Sequence, residues 1–245
     1  MTRMGIVKLS LLATCCACLV VATPPAASAA LVGSEFQVNT FTTGYQYEPA
    51  VAGASAGNFV VVWQSYPQLG ATAGSDIFAQ RFGTDGAKAG GEFQVNGVTA
   101  GYQYYPHVAM RDNGDFVVVW TNGSGDGDGP GISARRFNAA GQALGSEFQV
   151  NSASAGYQYD PRVALDASGN MTVVWWTSPS TAAPQPDGNQ SGVFARRFDS
   201  SGTPVAGQFQ VNQLTTGEQS FPDLRYDANG NIVIAWQSEI GRAHV

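Results

Sequence analysis

Tyr45, Gln46 and Tyr47 recur as Tyr102, Gln103, Tyr104 and Tyr105, and again as Tyr157, Gln158 and Tyr159. A degenerate fourth copy keeps Gln219 and Phe221. Flat apolar rings with polar tips, set beside amide side chains, suit contact with a sugar or a peptide. Trp176 lies in the loop that accompanies the third copy, so the expected ligand contacts are Tyr45, Tyr47, Tyr102, Tyr104, Tyr157, Gln158, Tyr159 and Trp176. A structural alternative stands beside this one. Because the rings recur in every copy, they could equally brace the entrance to a strand.

Other chemistry is thinly supplied. His107 is the only histidine ahead of the last six residues, which removes a histidine-based triad and a two-histidine metal site. Its repeat position holds Ala50, Arg162 and Asp223 in the other copies, and this variety reads as surface. The carboxylates fall in turns, or at Glu35, Glu92 and Glu147 where each copy has one. Glycoside hydrolysis takes a pair of carboxylates. A hydrolase of this kind is expected to break the repeat with unmatched Arg, Glu or Asp on its inner strands, and no such break is read in these copies. Asp126 and Asp128, in a run of alternating Asp and Gly, are the candidate cation ligands, and Ca²⁺ is the ion they suit. That ion takes about six to eight oxygens, whereas the two corresponding loops offer only Asp76 and Asp187. A solvated loop is the alternative, and no other cofactor is expected.

These residues are positioned by an internal repeat, whose recognition fixes the architecture. Trp63, Trp120, Trp175 and Trp236 stand 57, 55 and 61 residues apart, as do Pro49, Pro106, Pro161 and Pro222. Each copy contains four strand candidates. Strand A is Pro-x-Val-Ala, preceded by the aromatic ladder, and strand B is an apolar run ending in Trp. Strand C is Ile/Val-x-Ala-x-Arg-Phe, and strand D is Glu/Gln-Phe-Gln-Val-Asn. Asp112-Asn113-Gly114 and Asp227-Ala228-Asn229-Gly230 mark A–B hairpin turns. All length variation falls in the B–C loop.

Strand B is apolar on both faces and must be covered on both. Ile77, Ala79 and Arg81 share one face of strand C, which suggests close packing of neighbouring units, with the arginine head hydrogen-bonded. Antiparallel units of four strands covered on both faces are propeller blades. The expected fold is therefore all-β: a partial β-propeller of about three and a half blades, with repeats near 35–91, 92–146, 147–207 and 208–238. D–A and B–C loops share one face of a propeller, so the ladder is expected beside the variable loop.

Residues 1–29 read as a secretory leader: Arg3 and Lys8, an apolar run from Leu11 to Val21, and the small-residue site Ala27-Ser28-Ala29. A lipoprotein site at Cys15 is the minor alternative. Export to the periplasm, cell surface or medium follows. The apolar run is too short to span a bilayer. All three cysteines (Cys15, Cys16, Cys18) lie in this segment. Removing Arg3 and Lys8 leaves 10 basic against 18 acidic residues, a poor composition for binding nucleic acid. Ile240–Val245 matches nothing in the repeat and resembles translated sequencing adapter, so residues 239–245 are expected to be non-native.

The run Pro-x-Val-Ala, turn, apolar strand ending in Trp, then Ile-x-Ala-x-Arg-Phe resembles repeats of large exported bacterial surface proteins, including adhesins. Their blades are similar to those of sialidase-type propellers. The likeness spans Gly33 to Ser238. Where sialidases carry Ser-x-Asp-x-Gly-x-x-Trp turns, this chain has Gly83-Thr84-Asp85-Gly86 and Asp199-Ser200-Ser201-Gly202. The resemblance therefore implies the blade and not the sialidase catalytic set. Two functions follow: a non-catalytic module binding a glycan or protein within a larger surface protein, or part of a carbohydrate-active propeller enzyme. Strand B of the last repeat is expected to be an unpaired edge prone to self-association.

Overall fold

The computed structural model describes residues 5–10, 30–66, 74–179, 191–227 and 229–239. The leader's apolar run, its cleavage site, the three cysteines, Asp187 and Ile240–Val245 lie outside the described residues. Among those described there are strands and no helix, hence no helix long and apolar enough to cross a membrane.

The repeat becomes three four-stranded antiparallel sheets and half of a fourth. Blade 1 is β3 (Tyr45–Gly53), β4 (Phe59–Tyr66), β5 (Asp76–Phe82) and β6 (Phe93–Gln94); β1 (Gly5–Ser10) and β2 (Ala30–Gln37) precede it. Blade 2 is β7 (Gln103–Met110), β8 (Phe116–Asn122), β9 (Gly131–Phe137) and β10 (Phe148–Gln149). Blade 3 is β11 (Tyr157–Leu165), β12 (Met171–Ser178), β13 (Gly192–Phe198) and β14 (Phe209–Gln210). Among the described residues, β15 (Gln219–Tyr226) and β16 (Ile232–Ser238) pair only with each other. The all-β partial propeller expected from the repeat is what forms.

Its A–B turns close as the sequence dictates. In the second, the Arg111 N–H donates to Asp115 O at 2.8 Å, and Gly114 takes a φ of 87° that a side chain resists. A Cβ on Gly114 would also come within 2.9 Å of the Ala139 Cβ in the C–D turn of the same blade.

One boundary differs from expectation. The aromatic ladder does not precede strand A but is its first part, paired with an extension of strand B beyond the Trp: Tyr45 faces Tyr66, Tyr104 faces Thr121, and Tyr159 faces Trp176. Between ladder and Pro-x-Val the register slips in every copy. There, the residue before each proline (Glu48, Tyr105, Asp160, Phe221) has a φ of 48–54°. Proline disfavours the right-handed helical region for its predecessor, and a bulge with a left-handed residue re-aims the strand. Four different side chains accept this geometry, so the backbone of the blade imposes it.

Blades pack face to face. Val60, Val62, Ile77, Ala79 and Val95 of blade 1 cluster with Val108, Val118 and Trp120 of blade 2. Val117, Val119, Ile132 and Val150 then cluster with Val173 and Trp175 of blade 3. The two-faced apolarity of strand B is thus explained: alternate residues face opposite neighbours. Phe36 and Val38 cover blade 1 in the same way, Phe36 lying 5.5 Å from Phe82 at 55°, as Phe93 lies 5.6 Å from Phe137 at 55°. β2 therefore packs on blade 1 as a strand D packs on the next blade, and β1 runs antiparallel beside it.

Polar straps join the blades where the sequence shows repeated charges. Glu92 accepts the Thr40 N–H at 2.6 Å, Glu147 the Gly97 N–H at 2.6 Å, and Gln208 the Ser152 N–H at 2.8 Å. Each fastens the segment after a preceding strand D, so the repeated acid is structural. The strand C arginines reach the next C–D turn, Arg81 donating to Ala139 O at 2.6 Å and Arg136 to Ser201 O.

Candidate functional site

The bulge puts the ladder at one end of the first strands, beside the variable loops. The Gln103 N–H donates to Ser75 O at 2.8 Å and the Gln158 N–H to Pro130 O at 2.9 Å, so each B–C loop touches the next strand A. Within the ladder, alternation separates the roles. Gln46, Gln103, Gln158 and Gln219 are all buried. Gln158 donates to Ala155 O at 3.0 Å and Gly156 O at 2.8 Å, and accepts from Asn151 Nδ2 at 3.0 Å. Gln103 accepts the Trp120 indole N–H at 2.9 Å, as Gln219 accepts that of Trp236 at 3.1 Å. The glutamines brace the loop, and Gln158 is turned away from solvent.

The rings face outward. Tyr45, Tyr47, Tyr102, Tyr105 and Phe221 are exposed, and Tyr104, Tyr157, Tyr159 and Trp176 half-buried. Tyr105 meets Tyr104 at 5.2 Å, Tyr104 meets Tyr159 at 6.4 Å, Tyr159 meets Trp176 at 5.2 Å, and Trp176 meets Phe221 at 6.0 Å. Tyr157 joins at 6.3 Å from Tyr159. One continuous aromatic run thus crosses blades 2, 3 and 4. Tyr45 and Tyr47 stack separately at 5.7 Å, and Tyr102 stacks on Tyr66 at 6.2 Å. Burial, followed by the nearby phenols, raises the phenol pKa values of Tyr104 and Tyr159, keeping both hydroxyls protonated as donors.

At the end of the run a cleft of about 360 Å³ is lined by Trp176, Ser178, Ser191, Glu218, Ser220 and Phe221. The Trp176 indole N–H has no hydrogen-bond partner among the described residues. A groove of about 420 Å³ lies at the opposite end of the strands, between the Asp112 and Asp166 turns. Its carboxylates are occupied: Asp112 accepts the Ser55 N–H at 2.9 Å and Asp166 the Asn170 N–H at 2.9 Å. It presents no aromatic ring.

Asp126 and Asp128 likewise point at protein donors. Asn151 Nδ2 and the Asp128 N–H donate to Asp126, and the Gly156 N–H donates to Asp128 at 3.0 Å. Burial raises the pKa of Asp126, which disfavours its charged form. No group of three or more candidate metal ligands occurs among the described residues. The pair clasps the B–C loop of blade 2 to the segment entering blade 3.

Sequence reasoning missed the charged residues of the first strands. β3, β7, β11 and β15 lie side by side along the inner rim. At the bulge and just beyond it the copies disagree: Glu48, Tyr105, Asp160 and Phe221, then Ala50, His107, Arg162 and Asp223, then Ala52, Ala109, Ala164 and Arg225. The repeat is therefore broken by unmatched charges on the inner strands, contrary to expectation. Asp160, 8% exposed, accepts from Arg162 Nη1 at 2.6 Å, and its own N–H donates to Thr121 Oγ1 at 3.2 Å. The exposed Arg225 and Asp223 pair at 3.0 Å. His107 is not a surface residue either. It is half-buried, and its Nδ1 accepts the Val163 N–H at 3.2 Å, joining two inner strands. Burial, with Arg162 next, lowers its pKa to about 4, so it is neutral at pH 7. The available signal was the disagreement among copies at these positions, which also reads as mere surface tolerance.

No protein-family model and no curated protein sequence matches the chain. Solved structures do. A protein of unknown function from Dyadobacter fermentans DSM 18053 superposes with a TM-score of 0.54 at 10% identity, covering 85% of this chain and 61% of that one. A Hadza microbial sialidase gives 0.50 at 12% identity, covering 81% and 45%. An N-acetylgalactosamine deacetylase from F. plautii, solved with blood group B trisaccharide, gives 0.50 at 12% identity, covering 80% and 63%. The chain thus spans less than two thirds of each of these proteins. At such identities the likeness is one of fold: this chain shares the blade architecture of sialidase-like propellers.

Proposed function

We propose that the chain is a glycan-binding propeller module whose ligand lies across the aromatic run from Tyr105 to Phe221 and ends in the cleft beside Trp176. The observation that carries this reading is the joining of rings from three successive blades into one surface that ends at Ser178, Ser191, Ser220 and Glu218. Pyranose faces are apolar and their rims are hydroxylated, so rings flanked by small polar groups match both. The deacetylase in complex with blood group B trisaccharide, and the sialidase, support the same ligand class. Residues 1–29 serve as a secretory leader in this reading, which places the module outside the cytoplasm.

The test is a glycan array followed by calorimetry on the best ligand. Trp176→Ala and Tyr159→Ala should each weaken binding by about 1–3 kcal/mol, the range for a buried aromatic anchor, with the β-spectrum unchanged. Binding unaffected by both, but lost on changing Asp112 or Asp166, would move the site to the opposite end.

A second reading, a glycoside-processing centre, is favoured by one observation: a buried carboxylate, Asp160, held by Arg162 at a left-handed bulge where the repeat breaks. Hydrolysis takes two carboxylates flanking the bond, of which Asp160 would be one. Turnover of the bound glycan that disappears in Asp160→Asn, while binding remains, would establish it.

A further inference from the structure

Charge is distributed unevenly along the strands. The segments that join strand B to strand C (64–76, 121–131 and 176–192) and strand D to strand A (39–48, 96–105, 151–160 and 212–221) belong to the ladder side of the blades. Together they hold seven carboxylates and no lysine, arginine or histidine. The described cations past the leader sit elsewhere. The strand C arginines and Lys88 lie on the far half of that strand or in the turn after it, and Arg111 opens an A–B turn. Arg162 and Arg225, on the inner strands, are engaged by Asp160 and Asp223.

Most of these carboxylates are committed to the protein. Asp76 accepts from Asn96 Nδ2 at 2.6 Å, Asp126 and Asp128 clasp their loop, and Asp160 holds Arg162. Glu218 is different. It is exposed, it lines the cleft beside Trp176, and no described residue donates to its carboxylate. The sequence of residues 180–190 holds no cation that could neutralise it. Trp176 and Phe221 line the same cleft, their rings 6.0 Å apart. Aromatic faces attract a cation, an indole most strongly, and a carboxylate in a cleft with apolar walls concentrates a counter-ion. Both features ask for positive charge on the ligand. Resting on the glycan-binding reading above, we propose that the ligand is a glycan bearing free amino groups, one of whose ammonium groups sits in the cleft against Glu218, with Trp176 and Phe221 as walls. The run of rings across three blades favours a chain of pyranoses over a lone lysine side chain. N-acetylation removes the ligand's charge and a carboxylated sugar reverses it, so the site selects against both.

The test measures binding of glucosamine and galactosamine oligomers to the whole chain, each as the free amine and as its N-acetylated twin. It is run at about pH 6, below the ordinary range of primary amines. The free-amine form should bind about tenfold tighter than its twin, and added salt should weaken the charged form alone. Glu218→Gln should abolish that preference. Asp112→Asn, the same loss of charge at the opposite end of the strands, should leave it intact. Equal or tighter binding of the N-acetylated form, still weakened by Trp176→Ala, would sink the amine assignment and leave the aromatic site standing. A preference reduced equally by Glu218→Gln and Asp112→Asn would trace it to net charge and overturn the role of the cleft. Oligolysine of equal charge bound as tightly, and lost with Glu218→Gln, would make the ligand a basic peptide instead. Binding of neither form would remove the glycan-binding reading itself, and this inference with it.

Discussion

At the residue scale, the inner strands carry the chemistry, and His107 shows how context sets it. Its Nδ1 is the acceptor for the Val163 N–H, and protonation would replace that acceptor with a second donor. The folded-state pKa, about 4, lies below the ordinary value of 6.5. Between these values the unfolded chain binds the proton and the folded chain does not, so stability rises with pH across that window. The contribution is fully present above about pH 6.5 and lost as pH falls to about 4, on the order of 3 kcal/mol in all. Denaturant unfolding from pH 4 to 7 should therefore slope less in His107→Ala than in the wild type; identical slopes would place the titration elsewhere. Legibility in the sequence divides along the same line. The repeated tryptophans, Glu92 and Glu147 announced themselves by recurrence, and recurrence does mark what holds a blade together. Asp160, Arg162 and His107 sit where the copies disagree, and disagreement alone does not separate a functional position from a tolerant one. Only the pairing register brings them to one rim.

At the scale of the element, the blade depends on cross-blade straps as well as on its core. Glu147 accepts two N–H groups of the preceding segment, Gly97 at 2.6 Å and Val98 at 3.3 Å. Charge-assisted bonds of this kind exceed neutral ones, although solvent reaches this one. Glu147→Ala is expected to cost about 1–2 kcal/mol, with Glu147→Gln recovering part of it, since the natural Gln208 makes the equivalent bond to Ser152. Equal losses in both variants would show that charge and not hydrogen bonding dominates. The tryptophan of strand B gives the complementary contrast. Trp120 is fully buried between two blades, so Trp120→Ala should cost about 3–5 kcal/mol. Trp236→Ala, at a half-covered position, should cost distinctly less. The sequence made these positions look equivalent, because period and residue type are the same. What differs is the neighbour: among the described residues a strand C pairs with β8 and none pairs with β16.

Across the whole molecule, each blade touches only its neighbours, so stability is a sum of units and interfaces and need not be uniform. Blade 2 is covered on both faces by complete blades, with Val118 and Val119 facing opposite neighbours. The β15–β16 pair is covered by blade 3 on one side and, among the described residues, by nothing on the other. At the N-terminal end β2 covers blade 1, but Asn39 Oδ1 is buried without a hydrogen-bond partner among the described residues. The equivalent Asn96, Asn151 and Asn212 oxygens each accept a strand C N–H at 2.8 Å. Among the described residues, both ends of the arc are thus less covered than its middle. Amide exchange should follow this gradient, slowest in β8, β9 and β12 and fastest in β16 and the segment around Asn39. A low concentration of denaturant should melt β15–β16 before blades 2 and 3. Protection in β16 equal to that in β12, in a chain shown by sizing to be monomeric, would mean that the arc melts as one unit.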